Sequence, residues 1–140
     1  MGSQTSMSLY EVLDLLAQNS DKIDVLWNFF VGVHLAVLGG LIVMPTRVQW
    51  FEKLLAIVGY CAFNYLNHNA LVDTYSYHLA LLDEIRHMSV SASDVGHIVT
   101  NHLNQFDLRD RIVFLHYTHV AATAVVVGAI TFANRFVQTE

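Results

Sequence analysis

Residues 25–44 read VLWNFFVGVHLAVLGGLIVM, a run of twenty positions without Asp, Glu, Lys or Arg. A helix of that length rises about 30 Å, which matches the hydrocarbon core of a bilayer. Trp27 stands near one end, and Pro45 and Arg47 follow the other, where interfacial anchors of a spanning helix are expected. This stretch therefore predicts a transmembrane helix and sets the class of the whole chain.

Two further stretches, 54–72 and 112–133, predict a second and a third span. The third is rich in Val and Ala, and its ionisable side chains near neutral pH are His116 and His119. The second is less apolar, because polar side chains crowd its second half: Asn64, Asn67, His68 and Asn69. Such side chains are costly against lipid, so we expect them to face other helices or water.

The flanking segments predict further helices outside the membrane. Ser8 and Glu11 fit a capping box ahead of an N-terminal amphipathic helix, which lies either on the membrane surface or on the protein's own helices. Residues 73–111 are too charged to span and predict an extramembrane helical segment, with a loop at 89–96. The chain is thus predicted to be an all-α integral membrane protein with three transmembrane helices, forming a single domain over 1–140.

The composition is typical of a protein in lipid and argues against one class of partner. Charged residues make up only 14% of the 140 positions and hydrophobic residues 54%, whereas soluble domains carry about 25% charged residues. The net charge of −5 and the lack of a basic stripe argue against nucleic acid as a partner. Cys61 is the only cysteine, so it has no intrachain disulfide partner, and its apolar surroundings predict inert packing.

Small residues in the predicted spans favour close helix packing. Gly32, Ala36 and Gly40 recur at four-residue spacing in the first span, with Asn28 on the same face. Ala124 and Gly128 repeat the spacing in the third span. Small side chains let two backbones approach in lipid, so we expect a helix–helix contact here, within or between subunits.

Two polar stripes on the spans are the main candidate site. Their members are Asn64, Asn67 and His68 on the second span and His116, His119 and Thr123 on the third. The predicted topology turns both stripes toward the side that holds residues 73–111, with His34 at mid-depth in the first span. We therefore expect a polar pocket, or the lining of a pore, within the membrane.

Several chemistries fit these histidines. His34, His116 and His119 are candidate haem ligands, and His68, His116 and His119 are candidate ligands of copper or zinc. Neutral imidazoles also relay protons near physiological pH. The simplest interpretation is structural, in which each histidine bonds a neighbouring carbonyl and each Asn joins two helices.

A second constellation lies outside the spans. Glu84-x-x-His87 and Asp94-x-x-His97 have the carboxylate–histidine spacing of di-iron bundles. The further carboxylates of such a site are missing, so a solvated helix face is the favoured interpretation. The sequence also lacks a Gly-rich phosphate loop and a nucleophile elbow, and it offers no catalytic residues.

The sequence thus favours a small multi-pass membrane protein, non-enzymatic, that is a subunit of a homo-oligomer or of a larger membrane complex. A channel-forming homo-oligomer belongs to this class. The alternatives are a haem- or metal-binding membrane redox protein and a proton-conducting or pH-sensing membrane protein.

Overall fold

A computed structural model of the chain describes residues 7–43, 48–89 and 108–136, and these residues form three helices without a strand. Helix α1 is Leu9–Val43, α2 is Trp50–Ser89, and α3 is Leu108–Phe136. The predicted all-α class is confirmed. The predicted loop at 89–96 lies outside the described residues, except for Ser89, which is the last residue of α2.

Helix α1 is a single element that includes the predicted N-terminal amphipathic segment. Ser8 begins it as expected: its backbone N–H donates to the Glu11 carboxylate over 2.7 Å, and its Oγ accepts from the Glu11 N–H over 3.3 Å. The bond from the Ser8 backbone N–H, and after it a 2.9 Å bond donated by the Ser8 hydroxyl to the same carboxylate, lower the pKa of the Glu11 carboxyl. No Gly or Pro interrupts residues 9–31, so the backbone continues where the sequence pattern suggested two helices.

Helix α2 runs on from the predicted second span into the charged segment that follows it. The three helices are antiparallel in succession, as contacts between distant residues show. Asn19 Nδ2 lies 3.0 Å from the Thr74 carbonyl oxygen, and Lys53 Nζ lies 2.9 Å from that of Thr131. The chain therefore passes up, down and up through one bundle.

Three apolar clusters hold the bundle together along its length. One end packs Val12 against Leu81 and Ile85. The next cluster is Ile23, Leu71, Tyr75, Leu82 and Leu115. The far end packs Tyr60, Val126 and Ile130. Val12 is fully buried in the first cluster. The amphipathic segment therefore packs on the protein's own helix α2, which is one of its two predicted placements.

Two of the three helices, α1 and residues Asp110–Ala133 of α3, are long and apolar enough to cross a membrane. Within the described part of the chain, α2 does not reach the same apolar character. The residues that lower it are the polar ones noted in the sequence, and the bundle turns Asn64 and Asn67 inward. Asn64, Asn67 and His119 are buried between the cluster of Leu115 and the cluster of Val126.

Candidate functional site

Two histidines inside the bundle, His34 on α1 and His119 on α3, are bonded in the same way. Each donates from Nδ1 to the carbonyl four residues earlier, over 2.6 Å to Phe30 and 3.0 Å to Leu115. A carbonyl oxygen only accepts, so Nδ1 carries the proton. In the neutral ring, Nε2 is then left as an acceptor.

Helix α2 supplies a donor to each of these Nε2 atoms. Tyr60 Oη donates to His34 Nε2 over 2.5 Å, and Asn67 Nδ2 donates to His119 Nε2 over 3.3 Å. Tyr60, Asn67 and His119 are all buried. Buried polar groups are costly unless they are hydrogen-bonded, so these pairs fix how the three helices meet.

Asn64 joins α2 to α3 one turn away from Asn67. Its Nδ2 donates to the His119 carbonyl over 3.3 Å and to Thr123 Oγ1 over 2.5 Å. Thr123 Oγ1 donates in turn to the same carbonyl over 2.7 Å. Because a carbonyl cannot donate, the amide nitrogen of Asn64 must face α3. The Oδ1 atoms of Asn64 and Asn67 are buried and have no hydrogen-bond partner in the described part of the chain.

Aromatic side chains of α1 cover one side of this network. The Phe30 ring lies between two of the histidines, with centroid distances of 4.0 Å to the half-buried His34 and 4.2 Å to the buried His119. Trp27 contacts Phe30 edge to face at 5.5 Å, and its indole N–H donates to Tyr75 Oη over 3.1 Å. These rings limit the access of other groups to the histidines from the side of α1.

A second histidine pair lies toward the outer surface between α2 and α3. His68 Nε2 is 3.2 Å from His116 Nδ1, and the His68 ring is 5.0 Å from those of both His116 and His119. His116 is exposed, whereas His68 Nδ1 is buried without a partner among the described residues. The three imidazoles therefore lead from the surface to the buried network.

Beside this pair, α2 and α3 enclose an open groove of about 250 Å³. Its lining includes Cys61, Asn64, Tyr65, His68, Val120 and Thr123. Cys61, Tyr65 and Val120 are exposed, so the groove opens away from α1, on the outside of the bundle. The polar members of its lining belong to the network described above.

The structure thus brings the two predicted polar stripes together: Asn64, Asn67 and His68 meet His116, His119 and Thr123. His34 joins them through Tyr60, which contacts both His34 and Thr123. Sequence reasoning missed Tyr60, although it lies four residues before Asn64 on the same helical face. It also missed Phe30, because helical spacing alone does not tell which ring enters the space between two histidines.

Of the predicted haem, copper and zinc ligands, His34 and His119 have hydrogen-bond partners at both ring nitrogens. Among residues 7–43, 48–89 and 108–136, no three His, Cys, Asp or Glu side chains are grouped to hold a metal ion. The Nε2 atoms of His34 and His119 are already occupied by Tyr60 and Asn67.

The carboxylate–histidine segment of α2 lies on the surface. Asp83 and His87 approach to 3.6 Å one helical turn apart, and both are exposed, as is Glu84. This is the arrangement of a solvated helix face. Asp94 and His97 lie outside the described residues.

The small-residue face of α1 is not covered by the other described helices. Asn28, Gly32 and Ala36 are exposed, and a Cβ added at Gly32 or Gly40 would meet no atom within 4 Å. On α3, Ala124 is exposed and Gly128 is equally open. The described helices therefore do not use this spacing for contacts with one another.

A separate polar contact joins α1 and α2 at the end of the bundle that begins with Ser8. Asn19 Nδ2 donates to the Thr74 carbonyl over 3.0 Å and to His78 Nδ1 over 3.2 Å. Burial, and after it the positive charge of Arg111, lower the pKa of His78. Neither Asn19 nor His78 belongs to a polar stripe of the sequence, so this contact was not predicted.

The fold and site define a small all-helical protein with a polar network inside an apolar exterior. No protein-family model, curated protein or solved structure matches the chain.

Proposed function

We propose that this chain is a multi-pass integral membrane protein with three spans, and that it serves as a non-enzymatic subunit assembling with copies of itself or with larger membrane proteins. One observation carries the proposal. At the same level of the bundle, Asn64 and His119 are 8% and 3% exposed, whereas Leu66 is 66% exposed. A polar interior inside an apolar exterior is unfavourable in water, but lipid solvates the exterior and leaves the polar groups to pair internally.

The exposure of the two most apolar helices supports the same placement. Only 6% of the most apolar 18-residue window of α1 is buried by the rest of the chain, and 17% of that of α3. The core helix of a water-soluble protein would have its apolar residues mostly buried. As the second span, α2 avoids much of the cost of its polar residues, because Asn64 and Asn67 donate to α3.

Assembly with another chain is supported by the open face of Asn28, Gly32 and Ala36. In lipid, small residues favour contact between helices because backbones approach closely there and an Asn can bond across the contact. All three residues are exposed, and a Cβ added at Gly32 meets no atom within 4 Å among the described residues. His116, an exposed ionisable side chain within the proposed third span, likewise favours a partner over lipid.

A second candidate function is proton transfer, favoured by the stepwise contact of His116, His68 and His119. Proteoliposomes carrying the protein would then dissipate a pH gradient. The His68→Gln variant would lower the rate of this dissipation at least tenfold. His87→Gln, on the exposed face of α2, is the matched control. Equal rates for the wild type and His68→Gln would contradict proton transfer by this route.

Membrane integration and topology are tested together. The protein should stay in the membrane pellet after alkaline carbonate extraction. In a Cys61→Ala background, Ser3→Cys and Ser93→Cys should react with an impermeant maleimide from one side, and Gln49→Cys from the other. Release by carbonate would contradict membrane integration, and labelling of positions 3 and 93 from opposite sides would contradict three spans.

A further inference from the structure

Three aromatic side chains, one from each helix, line an open cavity of about 400 Å³. They are Trp27 on α1, Tyr75 on α2 and Phe114 on α3. Trp27 lies near the start of the first proposed span, Tyr75 just beyond the end of the second, and Phe114 near the start of the third. In the proposed placement all three therefore lie at one interface between lipid and water, the level of the lipid headgroups.

The inner wall of this cavity is held in place by contacts within the bundle. The Trp27 indole N–H donates to Tyr75 Oη over 3.1 Å, and the Trp27 ring contacts Phe30 edge to face. Tyr75 is 6% exposed and belongs to the cluster of Leu115. Phe114, by contrast, is 66% exposed. Two of the rings are therefore fixed before a ligand enters, which lowers the entropic cost of binding, and the third lies at the surface.

Two side chains of opposite charge also line the cavity. Asp110 and Arg111 lie in the first turn of α3, and both are exposed. A guanidinium binds phosphate through charge-assisted hydrogen bonds, and its five N–H donors allow this in addition to contacts within the protein. The neighbouring carboxylate attracts a cation. The lining therefore suits a molecule that carries a phosphate and a positive charge close together.

We propose that this cavity binds the headgroup of a phosphocholine lipid. The Arg111 guanidinium pairs with the phosphate, and the trimethylammonium group lies among the three rings beside Asp110. The glycerol and the acyl chains pass the exposed Phe114 into lipid. The inference rests on the proposed membrane placement, because only that placement puts the cavity at the level of the headgroups.

The rings favour a quaternary ammonium over a primary one. A quaternary ammonium has no N–H, and the faces of aromatic rings attract it. A primary ammonium has three N–H donors, each of which needs an acceptor. Among the five described side chains that line the cavity, only Asp110 has a carboxylate, and the Tyr75 hydroxyl already accepts from Trp27. The volume lies within the usual range for small-molecule sites, roughly 300–1,000 Å³.

The test measures which lipid the chain retains. The purified full-length chain is placed in nanodiscs that contain equal amounts of phosphatidylcholine, phosphatidylethanolamine and phosphatidylglycerol, all with the same acyl chains. Native mass spectrometry then identifies the lipids that stay bound when the protein is released. One phosphatidylcholine per chain should be retained, at least tenfold more often than either of the other two lipids.

Variants at the lining place the binding in the cavity. Phe114→Leu removes an exposed ring and should lower the retention of phosphatidylcholine at least threefold without loss of folded protein. Tyr117→Leu, 71% exposed on the same helix but outside the lining, is its matched control and should retain the lipid normally. Arg111→Gln removes the phosphate partner and should also lower retention. Lys22→Gln removes an exposed positive charge outside the cavity and should not.

Equal retention of the three lipids would overturn the proposal, as would unchanged retention by Phe114→Leu. Glycerophosphocholine, which has the same headgroup without acyl chains, tests for a soluble ligand. At equal concentration it should leave the lipid bound, and displacement would contradict a lipid as the occupant. These results do not affect membrane integration, which carbonate extraction measures separately. Release by carbonate would contradict the proposed function itself, so the two proposals fail by different measurements.

Discussion

Asn67 and His119 fix each other's hydrogen-bonding roles across the contact between α2 and α3. His119 Nδ1 donates to the Leu115 carbonyl, so its Nε2 accepts from Asn67 Nδ2, 3.3 Å away. The pair therefore requires the Nδ1–H tautomer of a neutral imidazole. The same logic applies to His34, whose Nε2 accepts from Tyr60.

This tautomer can be measured directly. In ¹⁵N spectra of the protein with labelled histidine, His119 should show a protonated Nδ1 and a bare Nε2. Asn67→Asp replaces the amide donor by a carboxylate that only accepts, so His119 Nε2 should become protonated. Asn19→Asp, at the other polar contact of α1, is the control and should leave the His119 signals unchanged. A bare Nε2 in Asn67→Asp would contradict the assigned pair.

Leu substitutions at the two histidines of α3 should differ in their cost. His119→Leu removes the acceptor of Asn67 inside the bundle and should destabilise the protein by about 0.6–1.7 kcal/mol, the range for hydrogen bonds between membrane helices. His116→Leu loses one contact at an exposed position, so its melting temperature should stay close to that of the wild type. The measurement is thermal unfolding in detergent. An equal decrease in melting temperature for both variants would show that burial does not determine how much each histidine stabilises the protein.

The open small-residue face of α1 predicts that larger side chains there weaken assembly of the protein into oligomers or complexes. Gly32→Leu combined with Gly40→Leu should lower the native mass in detergent, because large side chains separate two helices that approach closely. The overpacking cost is about 1–3 kcal/mol. Gly59→Leu, equally open but on α2, is the control and should assemble normally. An unchanged native mass for the double variant would mean that this face meets lipid.

His78 predicts a loss of stability in mild acid. Its pKa is lowered in the folded state, so the unfolded chain takes up this proton more readily. The stabilising contribution is complete above the usual histidine pKa of about 6.5 and is lost as the pH falls from there toward the lowered pKa. The melting temperature should therefore be lower at about pH 5 than at about pH 7.5.

The His78→Gln variant should reduce this difference in melting temperature, because Gln can still accept from Asn19 but does not titrate. His87→Gln changes an exposed histidine on the same helix and should leave the difference as large as in the wild type. The assignment to His78 would be refuted if both variants behaved alike.

The sequence was sufficient to predict the helical class and the contact between the polar stripes of α2 and α3. Helical spacing places Asn64, Asn67 and His68 on one face, and topology turns that face to the same end as His119. Helical spacing does not give the rotation of α1 about its axis. The contact of His34 with Tyr60 was therefore missed.

The sequence pattern suggested two helices where α1 is continuous, because the charged residues Asp21, Lys22 and Asp24 interrupt the apolar pattern. The helical backbone does not depend on that pattern, and Asn19 finds its partners on α2.

The length of α1 has a mechanical consequence. Its 35 residues rise about 52 Å, whereas the hydrocarbon core of a bilayer is about 30 Å thick. In the proposed placement, its first turns project beyond the bilayer, braced on α2 by the contact of Val12 with Leu81 and Ile85. No glycine or proline hinge interrupts residues 9–31. This projecting N-terminal segment of α1 is stiff. A molecule that binds its end and tilts it would therefore move Phe30 and His34 relative to α2 and α3.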